Sequence, residues 1–342
     1  MFRVKVRALP RVLGLAIGLF ATSVVTSTAF AATGDASGAG ASAGASPSSS
    51  SGAEPAVAVQ GGFPGIHVMP GMPGYAQTRL GYLHYWSLGE GPAVLLLHGG
   101  PMFAVQYAKV MPLLAQAGFR AIAADLPGYG LSQLPDHPPS GEEYADALGQ
   151  LLDQLRVKRA NVVGMLTGGV VSLAFATHQS ARTRCLVLQN TPLYSEEELA
   201  AQLAAPAPDT RIWADGRHAT ERWQARRAAR KLDRASPEAL QWQMVGTLLM
   251  GDPGGWWPGA GAGDYVSRSF DSAQAVRAVK APTLLISLRD DAMLRHVERI
   301  RALRPDFRIA SLEVGHSMVP YDDPQPWATA VIAFLRQDCA AR

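Results

Sequence analysis

Four short clusters hold most of the residues able to do chemistry. His98-Gly99-Gly100-Pro101 follows an apolar run, and Asp125-Leu126-Pro127-Gly128-Tyr129-Gly130-Leu131-Ser132 follows the next one. Gly164-Met165-Leu166-Thr167-Gly168-Gly169 lies between a strand-like and a helix-like segment, and Val314-Gly315-His316-Ser317 comes near the C-terminus. Glycine turns let backbone approach a ligand closely. The histidines and carboxylates beside them are residue types that carry protons in acid–base work. Metal chemistry is not signalled. Two cysteines, Cys185 and Cys339, cannot make a Cys-based zinc site, and the eight histidines include no His-x-x-x-His pair. No cofactor is implied.

Elements that would position these clusters are legible in the apolar pattern. Short Val/Ile/Leu runs alternate with helical stretches, which predicts an α/β fold, a mostly parallel sheet with helices on both faces. Gln77–Trp86 reads as early strand and turn, and Ala93–Leu97 as a buried central strand. Phe103–Gln116 reads as a helix kinked or broken at Pro112. Strands are expected at Phe119–Ala124, Asn161–Met165, Cys185–Gln189, Thr283–Leu288 and Arg308–Val314. Ser140–Val157 is the clearest helix. Ser140 and Glu143 form a capping box, and Tyr144, Leu148, Leu151, Leu152 and Leu155 share one face. Gly168–His178 and Met293–Leu303 are further helices, and a final one starts with Asp323 as N-cap and Pro324 at its first position. Each cluster thus falls at the carboxyl end of a strand, where open α/β sheets hold their ligands.

Taken together, in this order and spacing, the four clusters resemble the α/β-hydrolase superfamily over about Gln77 to Leu335. The likeness is to its lid-bearing branch of proline iminopeptidases, epoxide hydrolases and haloalkane dehalogenases. The resemblance implies a nucleophile in a Gly-x-Ser-x-Gly turn between strand and helix. Both glycines stand here, as Gly164 and Gly168, but the residue between them is Leu166, neither Ser nor Asp. A hydrocarbon side chain cannot form a covalent acyl or alkyl intermediate. Thr167 is the neighbouring hydroxyl. The family uses that position for its backbone N–H, and the side chain is read as serving the helix start.

The remaining catalytic positions of the family have counterparts. Its histidine matches His316, after Gly315 and ahead of the Asp323-Pro324 helix start. Its acid falls at Asp291, with Leu288 replacing the usual glycine, and Asp290 is the alternative. Its oxyanion donors match the backbone N–H groups of Gly100 and Thr167. His98 and Asp125 are read as structural. The resemblance thus implies a small ester-, amide- or epoxide-type substrate, turned over without a covalent intermediate by His316 and Asp291. The alternative is a non-catalytic binding protein for a small apolar ligand, or a pseudoenzyme that is an inactive relic of the family.

The rest of the chain frames that site. Arg3, Lys5, Arg7 and Arg11, the apolar stretch Val12–Val25 and Ala29-Phe30-Ala31 read as a signal peptide over residues 1–31, implying a secreted or periplasmic protein. Its removal discards four Lys/Arg and takes the formal charge from +3 to −1, which leaves no excess to attract nucleic acid. No membrane association is expected after cleavage. Residues 32–57 are almost all Ala, Gly, Ser and Pro and read as a linker. The core is expected at 58–192 and 281–342, with a helical lid at 193–280 that includes Glu197–Leu203 and Ala219–Leu232. Trp213, Trp223, Trp242, Trp256 and Trp257 in the lid are of a type that walls an apolar pocket or packs the lid down. Arg226, Arg227, Arg230 and Lys231 read as a solvated face. Cys185 and Cys339 are either separate thiols or a disulfide. Both belong near the amino-terminal end of the sheet, and pairing needs Cα atoms within about 7 Å.

Overall fold

The computed structural model describes residues 69–204, 235–249, 262–289, 291–313, 316 and 318–339, with a few single positions between 215 and 224. The expected signal peptide, the linker, Asp290, Gly315, Trp213, Trp256 and Trp257 lie outside the described residues.

Eight strands form one sheet. They are β1 (Met72–Thr78), β2 (Gly81–Leu88), β3 (Ala93–Leu97), β4 (Arg120–Ala124), β5 (Ala160–Met165), β6 (Thr183–Gln189), β7 (Thr283–Leu288) and β8 (Arg308–Leu312). Their spatial order is β1-β2-β4-β3-β5-β6-β7-β8. β2 pairs antiparallel with β1 and β4, and the other pairings are parallel. The strand expected at Gln77–Trp86 is in fact the end of one strand, a turn and the body of a second. Gly81, at φ +92°, begins the second strand, a conformation that suits glycine.

Helices α1 (Met111–Gln116), α2 (Gly141–Gln154), α3 (Thr167–His178), α4 (Glu196–Ala204), α5 (Pro237–Leu249), α6 (Ala262–Ser269), α7 (Ser272–Ala278), α8 (Leu294–Leu303), α9 (Val319–Asp322) and α10 (Pro324–Asp338) complete the described elements. The helix expected from Phe103 divides into a 3-10 turn at Ala104–Tyr107 and α1. Pro112 sits in the first turn of α1, where its missing N–H breaks no helical bond. Ser140 caps α2 as expected. Its Oγ accepts the Glu143 N–H, and Glu143 Oε2 accepts the Ser140 N–H. Asp323 occupies the N-cap of α10, but its side chain makes no capping bond, and Pro324 alone marks the start.

Every residue of β3 is buried because both faces of the sheet are covered. Leu95 and Leu97 point into a core shared with Leu148, Leu151 and Leu152 of α2 and Val170 and Val171 of α3. Val94 and Leu96 point the other way, to Met111 and Leu114 of α1 and Trp327, Val331 and Phe334 of α10. Val266, Ala275 and Val276, inside the expected lid, join the core on the α2/α3 side. Cys185 of β6 and Cys339 after α10 form a disulfide with Cα atoms 6.0 Å apart.

Candidate active site

The elbow between β5 and α3 has the form its glycines require. Leu166 adopts φ 49°, ψ −119°, a conformation that costs a non-glycine residue about 1–3 kcal/mol. Gly164 and Gly168 make room for it. A Cβ on Gly164 would lie 2.1 Å from Ser172 Oγ and 2.2 Å from the Gly168 carbonyl oxygen. A Cβ on Gly168 would lie 2.1 Å from the Leu97 carbonyl oxygen. The turn is held by its own backbone. The Leu166 N–H donates to the Gln189 carbonyl at 3.1 Å, and its carbonyl accepts from Gly169 and Val170. The Leu166 side chain is 9 % exposed and packs with Met165 and Met293.

Gly99 and Gly100 lie beside this turn. A Cβ on Gly99 would be 2.9 Å from Leu166 Cβ, and one on Gly100 would be 3.1 Å from Tyr129 Oη and 3.5 Å from Thr167 Oγ1. The two expected oxyanion donors, Gly100 and Thr167, are therefore neighbours. Thr167 is the first residue of α3, and no capping bond is made by the elbow side chain before it.

Buried polar groups hold the Gly99-Gly100 loop. Gln106 Oε1 accepts the Gly99 N–H at 2.9 Å, and its Nε2 faces Met165 Sδ at 3.5 Å and Met318 Sδ at 3.9 Å. Asp125 accepts from Ala104 N at 2.6 Å and Leu131 N at 2.9 Å, and meets His84 Nδ1 at 2.8 Å. His98 Nε2 accepts the Leu126 N–H at 2.9 Å. Burial pushes the His98 imidazole down to about 4, with Asp125 opposing more weakly, so it stays a neutral acceptor. His98 and Asp125 thus each accept backbone N–H groups of neighbouring loops. Gln106 and His84 had no signal in the sequence, since a lone Gln or His in a turn or strand belongs to no pattern.

Asp291 follows β7, and its carboxylate is engaged on both oxygens. Oδ2 accepts from Asn190 Nδ2 at 3.1 Å, and Oδ1 accepts from the Met293 N–H at 2.8 Å. Asn190 itself is buried and has φ 49°. His316 follows β8 and is 9 % exposed. Its Nε2 stands 3.8 Å from Asp322 Oδ2. Asp322 was not singled out in the sequence. It lies among Asp322-Asp323-Pro324, where an acidic residue reads as a helix start. The three loops converge through sulfur: Met293 packs on Leu166, and Met318 shares Gln106 with Met165.

Helix α5 lies against this assembly. A Cβ on Gly246 would meet the Pro101 carbonyl oxygen at 2.5 Å, and Gln243 Nε2 donates to Met318 Sδ at 3.0 Å. Trp242 stacks edge-on against Phe103 at 5.8 Å and donates to Tyr321 Oη at 2.9 Å. Tyr321 donates in turn to Glu238 Oε1 at 2.6 Å, and burial followed by that carboxylate pushes its hydroxyl above the usual tyrosine range. Among the described residues no cluster of three or more His, Cys, Asp or Glu is placed to hold a metal. Nor is any helix there long and apolar enough to cross a membrane.

The sheet order, the strained elbow and the His-bearing loop after the last strand define a class. The family profile for the alpha/beta hydrolase fold matches residues 92–323. The chain belongs to that family. It is 36 % identical over 126 residues to the bifunctional epoxide hydrolase 2 of Rattus norvegicus, covering 35 % of this chain and 22 % of that protein. It is 35 % identical over 125 residues to haloalkane dehalogenase 2 of Mycobacterium bovis, covering 35 % of this chain and 42 % of that one. The matches thus span less than half the length of these relatives. A thermophilic esterase from Thermogutta terrifontis superposes with TM-score 0.64 at 24 % identity, covering 79 % of this chain and all of that one, a likeness of fold.

Proposed function

We propose that this chain is an exported hydrolase of a small, largely apolar ester-, amide- or epoxide-type substrate that works without a covalent enzyme intermediate. The observation that carries the proposal is Leu166 in the strained elbow. The conformation a nucleophile needs is kept, while the side chain cannot attack. For an ester, His316 takes a proton from water as the water oxygen bonds to the carbonyl carbon. The Gly100 and Thr167 N–H groups hold the resulting oxyanion. The carbon–oxygen bond then breaks, and the imidazolium returns the proton to the leaving alkoxide. Asp291 supports the charged intermediate from the β7 loop.

Leu166, Met165 and Met293 give the site an apolar wall, which suits a small apolar substrate. Helix α5 supports the reading of a lid, since it packs on Pro101 beside the oxyanion loop. The Cys185–Cys339 disulfide supports export, because such bonds persist in oxidising compartments. A second reading, a protein that holds such a ligand without turning it over, is favoured by one feature: both Asp291 oxygens are already engaged by Asn190 and the Met293 N–H.

The test is hydrolysis of p-nitrophenyl esters. Leu166→Ser is expected to raise the rate by about 100-fold or more, since loss of the serine in a complete triad costs far more than that. Wild-type turnover, once measured, is expected to vanish in His316→Ala. No hydrolysis by wild type, together with tight binding of an ester analogue, establishes the second reading instead.

A further inference from the structure

Arg120 begins β4, at the end of the sheet opposite the elbow. The residue is half-buried, and its guanidinium is gripped from two elements. Nε donates to Ser87 Oγ of β2 at 3.0 Å, and Nη1 donates to the Leu155 carbonyl after α2 at 3.3 Å. Both acceptors are neutral, and among the described residues no carboxylate pairs with this charge. A guanidinium carries five N–H donors, so these bonds leave the Nη2 pair unspent. Capping of α2 accounts for the Nη1 bond, but not for the second grip on Nε or for the open Nη2 edge. Arg120 lines a cleft of about 640 Å³, to which Met72, Tyr85, Leu88 and Leu155 contribute apolar surface.

We propose that this cleft is a binding site for a small organic monoanion, a carboxylate with an apolar body, held by Arg120. The planar fork of an arginine matches the two oxygens of a carboxylate. Ser87 and Leu155 already fix the side chain, so binding does not spend its rotamer freedom. The apolar body lies on Tyr85, Leu88 and Leu155. Glu90, which is exposed, also lines the cleft. It opposes a doubly charged group more than a singly charged one, and so selects a carboxylate over a phosphate. The cleft lies a strand's length, roughly 15 Å, from the Gly99-Gly100 loop. It is a second site, and it does not depend on what happens at the elbow.

The experiment is a titration of the full chain with benzoate, followed by calorimetry and by nitrogen-15 amide spectroscopy. Benzoate is expected to bind in the millimolar range and to shift the amide signals of Ser87, Glu90 and Leu155. Arg120→Gln is expected to weaken binding about tenfold, the loss of one charged hydrogen-bonding partner. Arg120→Lys keeps the charge without the fork and is expected to weaken it less. Benzamide, which has the shape without the charge, and inorganic phosphate, which has the charge without the apolar body, are expected to bind severalfold more weakly than benzoate. Unchanged melting of the variants shows that the loss is one of binding, and the wild-type shifts test the site even where a variant fails to fold. Shifts absent from those three amides, shifts confined to the Gly99-Gly100 loop, or equal affinity in folded Arg120→Gln overturn the proposal. Phosphate or benzamide binding as tightly as benzoate overturns the ligand class. None of these readouts uses ester turnover, so failure of the hydrolytic reading leaves the site standing, and the reverse.

Discussion

Leu166 is the residue on which the proposed chemistry turns, and its neighbours are held in place by buried hydrogen bonds. Gln106 is one of them. Its Oε1 accepts the buried Gly99 N–H, and no sequence pattern marks it. Gln106→Leu strands that N–H and is expected to cost about 1–3 kcal/mol in urea denaturation. It should also lower any ester activity gained by Leu166→Ser, since Gly100 is next along the loop. His98 gives a pH-dependent term. Its folded-state value is lowered from 6.5 to about 4 by burial, so between those values the unfolded chain binds more protons. Its contribution is therefore complete above about pH 6.5 and is lost as the pH falls toward 4. The amount is on the order of 3 kcal/mol. Denaturation midpoints at pH 7 and pH 4.5 measure it. A flatter profile in His98→Gln assigns the slope to this ring.

At the scale of elements, the site is set by how β3, β5 and α3 meet. The elbow can pack against the end of β3 only while position 168 has no side chain. Gly168→Ala places a methyl 2.1 Å from a backbone oxygen, which cannot move aside as a flexible side chain would. A cost of about 3 kcal/mol or more is expected, read as a lowered denaturation midpoint or as failure to fold. The Gly164 and Gly168 spacing already implied this crowding in the sequence. The partner surface did not: that Leu97 and His98 supply the obstructing oxygens follows from β3 and β5 lying side by side, 67 residues apart in the chain but adjacent in the sheet. Gln77–Trp86 and Phe103–Gln116 were misread for a related reason. Each joins two elements through a connection of only two or three residues, too short to show as a gap in the apolar pattern.

For the whole molecule, the disulfide and the amino-terminal segment belong to one proposal. Cys185 and Cys339 are separated by 154 positions, so the bond closes a long loop of the unfolded chain. Its loss in Cys185→Ser/Cys339→Ser is expected to cost about 2–5 kcal/mol. Export is checked by intact-mass measurement on protein from the secreting cell. The expected mature chain begins at Ala32 and is two mass units lighter than its reduced form. A chain that begins at Met1 with free thiols contradicts export.

By itself the sequence determined the α/β class, the strands from Ala93 onward, the spacing of Gly164 and Gly168 and the hydrocarbon between them. These follow from periodicities of two and 3.6 residues and from local crowding, which neighbours along the chain control. Only the tertiary structure decided that Cys185 and Cys339 meet, that Gln106 bolts the Gly99-Gly100 loop, and that Asp322 stands beside His316. Such pairings join segments brought together by sheet order and helix packing, and no spacing along one strand or helix encodes them.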